Sequence, residues 1–460
     1  MKNQIKDFLY EDQSSKYIKK ELKIDCSGFD LNNLGIELCE NIFNYDYVMY
    51  ERGDEISIGI GKKVDVISMP NQIMLKKQDK TIKVDMKDIN EDLHSVFKCI
   101  PFDNWRVYGI ARFGLAYHNY KIPLKHENPK ILELFIPEID IRLKDYYASI
   151  KAFDQKYINI AVEAIQNFEQ RQACILNEKE KNKCILDTSL KEQKAKEYED
   201  MVATAVEDID SEKYQKVIIS RKVQVDKKIS MPKSYLLGRK VNTPARSYCL
   251  KIDGLRVIGY SPETVAEIDR HKTVFTFPLA GTRAIEESKI ETEKLRQELL
   301  ADPKEIAEHA VSVKLAYEEL EKVCKEKSVY VTEFMDVLER GTVQHLASRL
   351  KGEISDGLNE WHAFNMLFPA VTASGIPKRE CLEAISRIET DSRDLYSGSV
   401  LTYDQDGSLD AALVLRSVYQ DDQTTWLRAG AGIVKLSKPE RELEETREKL
   451  SSVSRQLIEC

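Results

Sequence analysis

The sequence has no apolar run long enough to cross a bilayer. Its longest charge-free stretch, Trp361 to Pro377, carries His362, Asn365, two prolines and hydroxyl side chains, so no membrane span is expected. Paired cysteines are missing as well. Nine cysteines stand at 26, 39, 99, 174, 184, 249, 324, 381 and 460, with no Cys-x-x-Cys and no histidine at zinc spacing. That excludes a disulfide scaffold and a zinc ribbon, and reduced thiols in a cytoplasmic protein are expected. Excess positive charge is absent too: 69 Lys and Arg against 77 Asp and Glu leave a net charge of −8, which gives no electrostatic footprint for nucleic acid. The opening MKNQIKDFLYEDQSSKYIKKEL has no apolar h-region, so no signal peptide is expected. No P-loop, dinucleotide fingerprint or Ser/His/Asp motif is found.

What is present is an ordinary globular composition, 42% hydrophobic and 32% charged over 460 residues, with ample material for a core. Residues 44 to 143 carry short alternating or β-branched runs such as EISIGIG, KKVDVISM and KILELFIPEIDIRL, which read as strands. From 144 to 213 the texture turns to Lys, Glu, Gln and Ala without Gly or Pro, which predicts helix, with a solvated loop or helix end at 177 to 183. Beyond Tyr214, strands are expected at 217 to 225, 246 to 252, 265 to 268 and 274 to 277. A three-strand meander is expected from Gly398 to Ile433, and long helices at 302 to 326 and 437 to 459. Strands in runs and helices in runs predict an α/β fold of mixed, largely antiparallel sheets flanked by helices.

The two long helices share a design. The first opens Asp302-Pro303-Lys304-Glu305, an N-cap carboxylate followed by proline in the first turn. Glu305 and Glu308 fall about 60° apart on one flank of its apolar stripe. On the last helix Ser437 and Glu440 form a candidate capping box, and Glu442 and Glu445 repeat the same offsets from the stripe, with Lys449 projecting between them. Were the helices to face one another, four carboxylates would converge, and an all-oxygen set of that kind suits Mg²⁺. A solvated Glu-x-x-Glu surface is the plainer reading of either pair.

Other residues stand out by context. Within the strand expected over Leu409 to Val418, Arg416 ends the apolar run Ala411 to Leu415 and needs a partner, either a structural carboxylate or a ligand. Arg428-Ala429-Gly430-Ala431-Gly432 could close backbone N–H groups on an anion or simply make a tight turn. Lys216 precedes a strand, Glu263 lies beside the turn in GYSPE, and PLAGT and VTASGIPK are candidate pocket walls.

Together these pieces resemble the chorismate-utilising enzymes, most closely the salicylate synthases. YQKVIISR, GYSPE, FPLAGTR, DPKEIAEHA, GTVQHLAS, PAVTASGIPK, YSGSV, AALVLRS, RAGAGIV and PERELEETREK follow in the family's order, and the segment at Trp105 to Gly109 resembles its N-terminal part. The resemblance implies one large domain, 1–196 being its β-rich then helical N-terminal part and 197–460 its catalytic part. It implies that Lys216 is the general base activating water for attack at C2 of chorismate, and that Glu263 is the general acid for the departing C4 hydroxyl. Glu308 and Glu445 would bind Mg²⁺ directly and Glu305 and Glu442 through water. Tyr396, Arg416, Gly430 and Gly432 would anchor the substrate's carboxylates with Lys449 near the metal end, and Gly281, Thr282, His345 and Thr372 would line the pocket.

Relatives making anthranilate typically carry Gln at the place of Lys216, and those making aminodeoxychorismate carry Lys at the place of Ala280, so the water-adding branch fits. Isochorismate synthases usually replace the TASGIPK loop with a His-Pro-Thr-Pro type of segment. The expectation is therefore Mg²⁺-dependent conversion of chorismate through isochorismate to salicylate and pyruvate, of the kind that feeds siderophore assembly, with no glutaminase subunit. An enzyme that stops at isochorismate is the alternative.

Overall fold

The computed structural model describes residues 2–10, 16–25, 29–124, 129–174, 189–286, 288–340 and 343–460. Two long strands, Glu55–Met69 and Leu132–Lys144, pair with each other and each belongs to two sheets. The first half of Glu55–Met69 pairs with Tyr47–Arg52 and its second half with Gln72–Lys77. Leu132–Lys144 pairs with Arg106–Ala111 through its first residues and with Tyr147–Ala152 through its last. The change of sheet falls at a bulge between Lys62 and Val64, where an irregular register bends and twists the strand.

From this junction one sheet runs through Tyr47–Arg52, Arg246–Ile252, Leu255–Ser261, Ser417–Gln420, Thr425–Ile433 and Lys216–Val225 to Gly375–Ile376. The other runs through Arg106–Ala111, Ser399–Asp404, Leu409–Leu413, Thr264–Ile268 and Thr273–Thr276 to Val343–Glu353, which also pairs with Leu279–Ala284 and Tyr330–Arg340. Every pairing among the described residues is antiparallel, so the largely antiparallel expectation holds and its mixed component is not seen there. Strands from the 1–196 part and the 197–460 part pair directly, as Tyr47–Arg52 does with Arg246–Ile252.

Period-two alternation decides which core each side chain joins. Val48, Tyr50, Leu250 and Val257 from one sheet meet Tyr108, Ile110, Val400 and Ala412 from the other in an inner apolar layer. Their neighbours Tyr47, Met49, Cys249 and Ile258 point outward and are covered by side chains of Met231–Val241 and Pro439–Ser454. On the second sheet, Val107, Leu401 and Ala411 are covered by Ile89–Lys98, Pro303–Glu321 and Glu360–Leu367. Burial on both faces is why these strands read as nearly unbroken apolar runs.

Three expectations need correction. The 144 to 213 stretch is not helical throughout: Tyr147–Ala152 is a strand, and helices occupy Gln155–Cys174 and Ala195–Asp210, while 177 to 183 lies outside the described residues. The meander has four strands, because the chain leaves the second sheet after Leu413 and enters the first at Ser417. Ser437 does not cap the last helix. Pro439, with its φ fixed for a first turn, starts that helix after Lys438, and the Ser437 hydroxyl accepts instead from the Val434 N–H at 3.1 Å. The Asp302 cap is as expected, its carboxylate accepting from the N–H of Lys304 at 2.9 Å and of Glu305 at 3.4 Å.

Candidate active site

The chain passes between the sheets twice in adjacent places, and each passage carries a charged residue. Leu255–Ser261 leads into Thr264–Ile268 through Pro262 and Glu263; Leu409–Leu413 leads into Ser417–Gln420 through Arg416. The passages are tied by Leu413 N–H to Glu263 O at 3.1 Å, Tyr260 N–H to Arg416 O at 3.3 Å and the Ser261 hydroxyl to Leu413 O at 2.6 Å. Arg416 adopts φ of +49°, a left-handed conformation uncommon for a side chain of this size. The sequence placed it in a continuous strand. It actually sits in the break between Leu409–Leu413 and Ser417–Gln420.

Glu263 is only 6% exposed and its carboxylate is hydrogen-bonded by the Thr372 hydroxyl. Burial pushes its pKa up to about 8, against the opposing effects of Thr372, Lys216 and Arg416. A carboxylic acid that keeps its proton near neutrality can donate it. Burial, with Arg340 nearby, depresses the Arg416 pKa. Among the described residues Arg416 has no carboxylate ion pair, and Arg340 hydrogen-bonds only backbone oxygens, at Pro262 and Glu339. Two guanidiniums within electrostatic reach of each other, with no ion-paired carboxylate among the described residues, favour an anionic ligand.

Lys216 begins the strand Lys216–Val225, and its side chain passes over Gly432 on the neighbouring strand. A Cβ at Gly432 would stand 3.0 Å from Lys216 Cε, so the glycine lets the lysine side chain lie close against the neighbouring strand. The Lys216 ammonium is ion-paired with Glu308 and lies within electrostatic reach of Glu263 and Glu445. Gly430 pairs with Ser220, and its carbonyl accepts from Lys449 Nζ at 2.8 Å.

The four glutamates come from the N-terminal turns of Pro303–Glu321 and Pro439–Ser454. Three of them hold a cation of the chain itself: Glu308 holds Lys216, Glu445 holds Lys449 at 2.8 Å, and Glu305 holds Arg283 at 3.3 Å. Burial and the nearby Glu445 carboxylate raise the pKa of Glu442, while Lys449 keeps that of Glu445 low although burial pushes it up. As these side chains stand, no three His, Cys, Asp or Glu groups among the described residues converge to metal-holding distance. The donor set nonetheless fits a hard divalent cation, being all oxygen, partly buried and already drawing in cations.

Other expected residues fall around this centre. Gly281 has φ of +70°, and a Cβ there would lie 3.0 Å from Glu305 Oε2, so only glycine fits. Its carbonyl accepts from His345 Nδ1 at 3.1 Å. Burial, with Arg416 and Lys449, depresses the His345 pKa to about 4, so the ring is neutral at pH 7. Thr282 pairs with His345 in the sheet, and its side chain lies outside the described residues. Tyr396 belongs to the apolar layer between the sheets, with its ring facing Arg393 and Arg428.

Sequence reasoning missed the residues that hold this arrangement. Lys378 and Glu319 form a buried ion pair at 2.6 Å, and Lys378 Nζ also donates to Leu367 O at 3.1 Å, tying the Glu308 helix to the loop that carries Thr372. Arg340 was passed over because a charged residue at the end of an exposed edge strand reads as surface. Only the fold sets it against Arg416.

A family model described as chorismate binding enzyme matches residues 45–455. Over 261 residues the chain is 48% identical to a salicylate synthase of Mycolicibacterium paratuberculosis, covering 57% of this chain and 58% of that protein. It is 36% identical over 258 residues to an anthranilate synthase component 1 of Archaeoglobus fulgidus, covering 56% of this chain and 61% of the relative. The matched stretch thus spans less than two thirds of either relative. Among solved structures, the menaquinone-specific isochorismate synthase MenF of Escherichia coli superposes with a TM-score of 0.70 at 18% identity over 99% of each chain. Anthranilate synthase component I of Streptococcus pneumoniae superposes at 0.67 and 21% identity, over 89% of this chain and 92% of that one. The match over residues 45–455, with the shared fold beneath it, makes this chain a member of the chorismate binding enzyme family.

Proposed function

We propose that the protein is a salicylate synthase, converting chorismate through isochorismate to salicylate and pyruvate. The observation that carries this reading is Glu263, a buried acid with its pKa pushed up to about 8, set within electrostatic reach of Lys216. In its neutral amine form Lys216 takes a proton from the water that attacks C2, becoming an ammonium. Glu263 gives its proton to the hydroxyl leaving C4, and the ring double bonds shift between the two sites. Water enters and water leaves, so isochorismate forms without net change in composition. Pyruvate is then lost as the C2 hydrogen moves to the enolpyruvyl methylene and the C3–O bond breaks, a step that needs positioning and no further acid or base. The 48% identical relative named as a salicylate synthase supports the complete sequence of steps.

Glu305, Glu308, Glu442 and Glu445 would hold Mg²⁺. Bound there, the ion would supply positive charge to the substrate's ring carboxylate. Arg416, lacking an internal carboxylate partner among the described residues, takes the other carboxylate. Arg416→Lys, which loses the planar fork, is expected to raise KM for chorismate about tenfold or more with kcat changed far less, measurable by steady-state kinetics.

The deciding experiment supplies chorismate and Mg²⁺ without ammonium and separates the products. Salicylate with equimolar pyruvate is expected, and chelation with EDTA should stop its formation until Mg²⁺ is restored. Isochorismate as the sole product would limit the enzyme to the first half-reaction, and unchanged chorismate would overturn the reading. Siderophore assembly is the proposed use of the salicylate.

A further inference from the structure

Beneath the site lies a buried charge cluster that the chemistry above does not use. Glu389, Arg393 and Arg428 are each no more than 5% exposed. The Glu389 carboxylate receives Arg393 Nη2 at 2.7 Å and Nε at 3.0 Å on one side, and Arg428 Nη2 at 2.6 Å on the other. It also accepts from the backbone N–H and hydroxyl of Ser220, at 2.8 and 2.9 Å. The two guanidiniums hold its carboxyl below the usual range although burial pushes it up.

The arginines do not end at Glu389. Arg393 donates to Ala373 O and to Ile218 O, both at 2.6 Å. Ala373 follows Thr372, the hydroxyl partner of Glu263, and Ile218 is two residues from Lys216. Arg428 donates to the Ser220 hydroxyl and to Ser392 O, both at 2.8 Å, and lies on the strand that carries Gly430 and Gly432. Both guanidiniums also face the Tyr396 ring, 5.8 and 5.7 Å from its centroid. One carboxylate therefore sets the position of two cations, and these span the supports of the acid, the base and the glycine strand.

The geometry points to Glu389 as a positioning residue that, through Arg393, fixes the Thr372 turn relative to the Lys216 strand. This rests on the proposed chorismate chemistry. A purely structural ion cluster would alter how much protein folds, whereas a positioning cluster alters turnover per folded molecule, because small displacements of reacting groups are costly.

Two variants of the full chain test it. Glu389→Asp keeps the charge and withdraws it by one methylene. Arg393→Lys keeps the cation, but a single ammonium cannot reach Ala373 O and Ile218 O in the guanidinium's fork geometry. With folded protein quantified by circular dichroism and thermal unfolding, each is expected to lose about tenfold or more in kcat for chorismate while KM stays within about threefold. A kcat per folded molecule within about twofold of the parent in both variants would overturn the positioning role. An inactive parent would overturn the chorismate reading and this inference together, whereas an active parent with unimpaired variants overturns the inference alone.

Discussion

Lys216→Ala is expected to lower chorismate turnover by about 10²- to 10⁴-fold, the usual contribution of a positioned general base. The variant should still release pyruvate from supplied isochorismate at a rate near the parent's, since that elimination requires the substrate to be held and no proton acceptor from the chain. Discontinuous product assays on the two substrates separate the effects. Retention of both activities would remove Lys216 from the base role. The ion pair with Glu308 has a second consequence. Without the ammonium, Glu308 loses its partner inside the chain, so the variant's dependence on added Mg²⁺ should shift to lower concentrations, which a metal titration reads directly.

Glu263→Gln is expected to cause a loss of similar size, about 10²-fold or more, because an amide occupies the space of the acid and has no proton to give. In the parent, kcat should fall as pH rises through about 8, where the buried carboxyl ionises. The Thr372 hydroxyl favours the ionised form, so Thr372→Val should move this alkaline limb to higher pH. Stability follows with a determinate sign. The folded-state pKa is raised from 4.5 to about 8, so between those values the native state binds more protons than the unfolded chain. This group's contribution to stability is complete below pH 4.5 and is lost as pH rises through about 8. Glu263→Gln, which cannot ionise, should therefore gain in unfolding temperature over the parent at pH 9 relative to their difference at pH 5. Thermal unfolding at the two pH values checks this, and an equal difference at both would show that Glu263 is not held protonated by the fold.

The sequence alone, through its motifs in order, determined the family and the antiparallel character, and it singled out Lys216 and Glu263 as the candidate base and acid. The paired glutamates were legible because a helix repeats its faces every 3.6 residues, so two carboxylates one turn apart share a flank whatever the tertiary structure. The glycines at 430 and 432 were visible as an oddity, but their purpose was not: that Lys216 lies across Gly432 is a contact between residues 216 apart in the chain.

What only the tertiary structure decided is where charge is left without a counter-ion and where it is trapped. Arg416 reads in sequence as the end of an apolar run inside one continuous strand, yet its left-handed backbone falls where the chain changes sheet between Leu413 and Ser417, within electrostatic reach of Arg340 and Glu263. The Glu263 pKa is pushed up to about 8 only because the fold buries it, and desolvation depends on all its neighbours at once. Glu389, Arg393 and Arg428 look like surface charges one by one, and their burial as a single cluster arises from folding the segments of Ser220 and Arg428 onto the 389–393 segment. Local periodicity can be read from a chain because it is repeated along it. Electrostatic environment cannot, because it is a sum over atoms that the fold alone brings together.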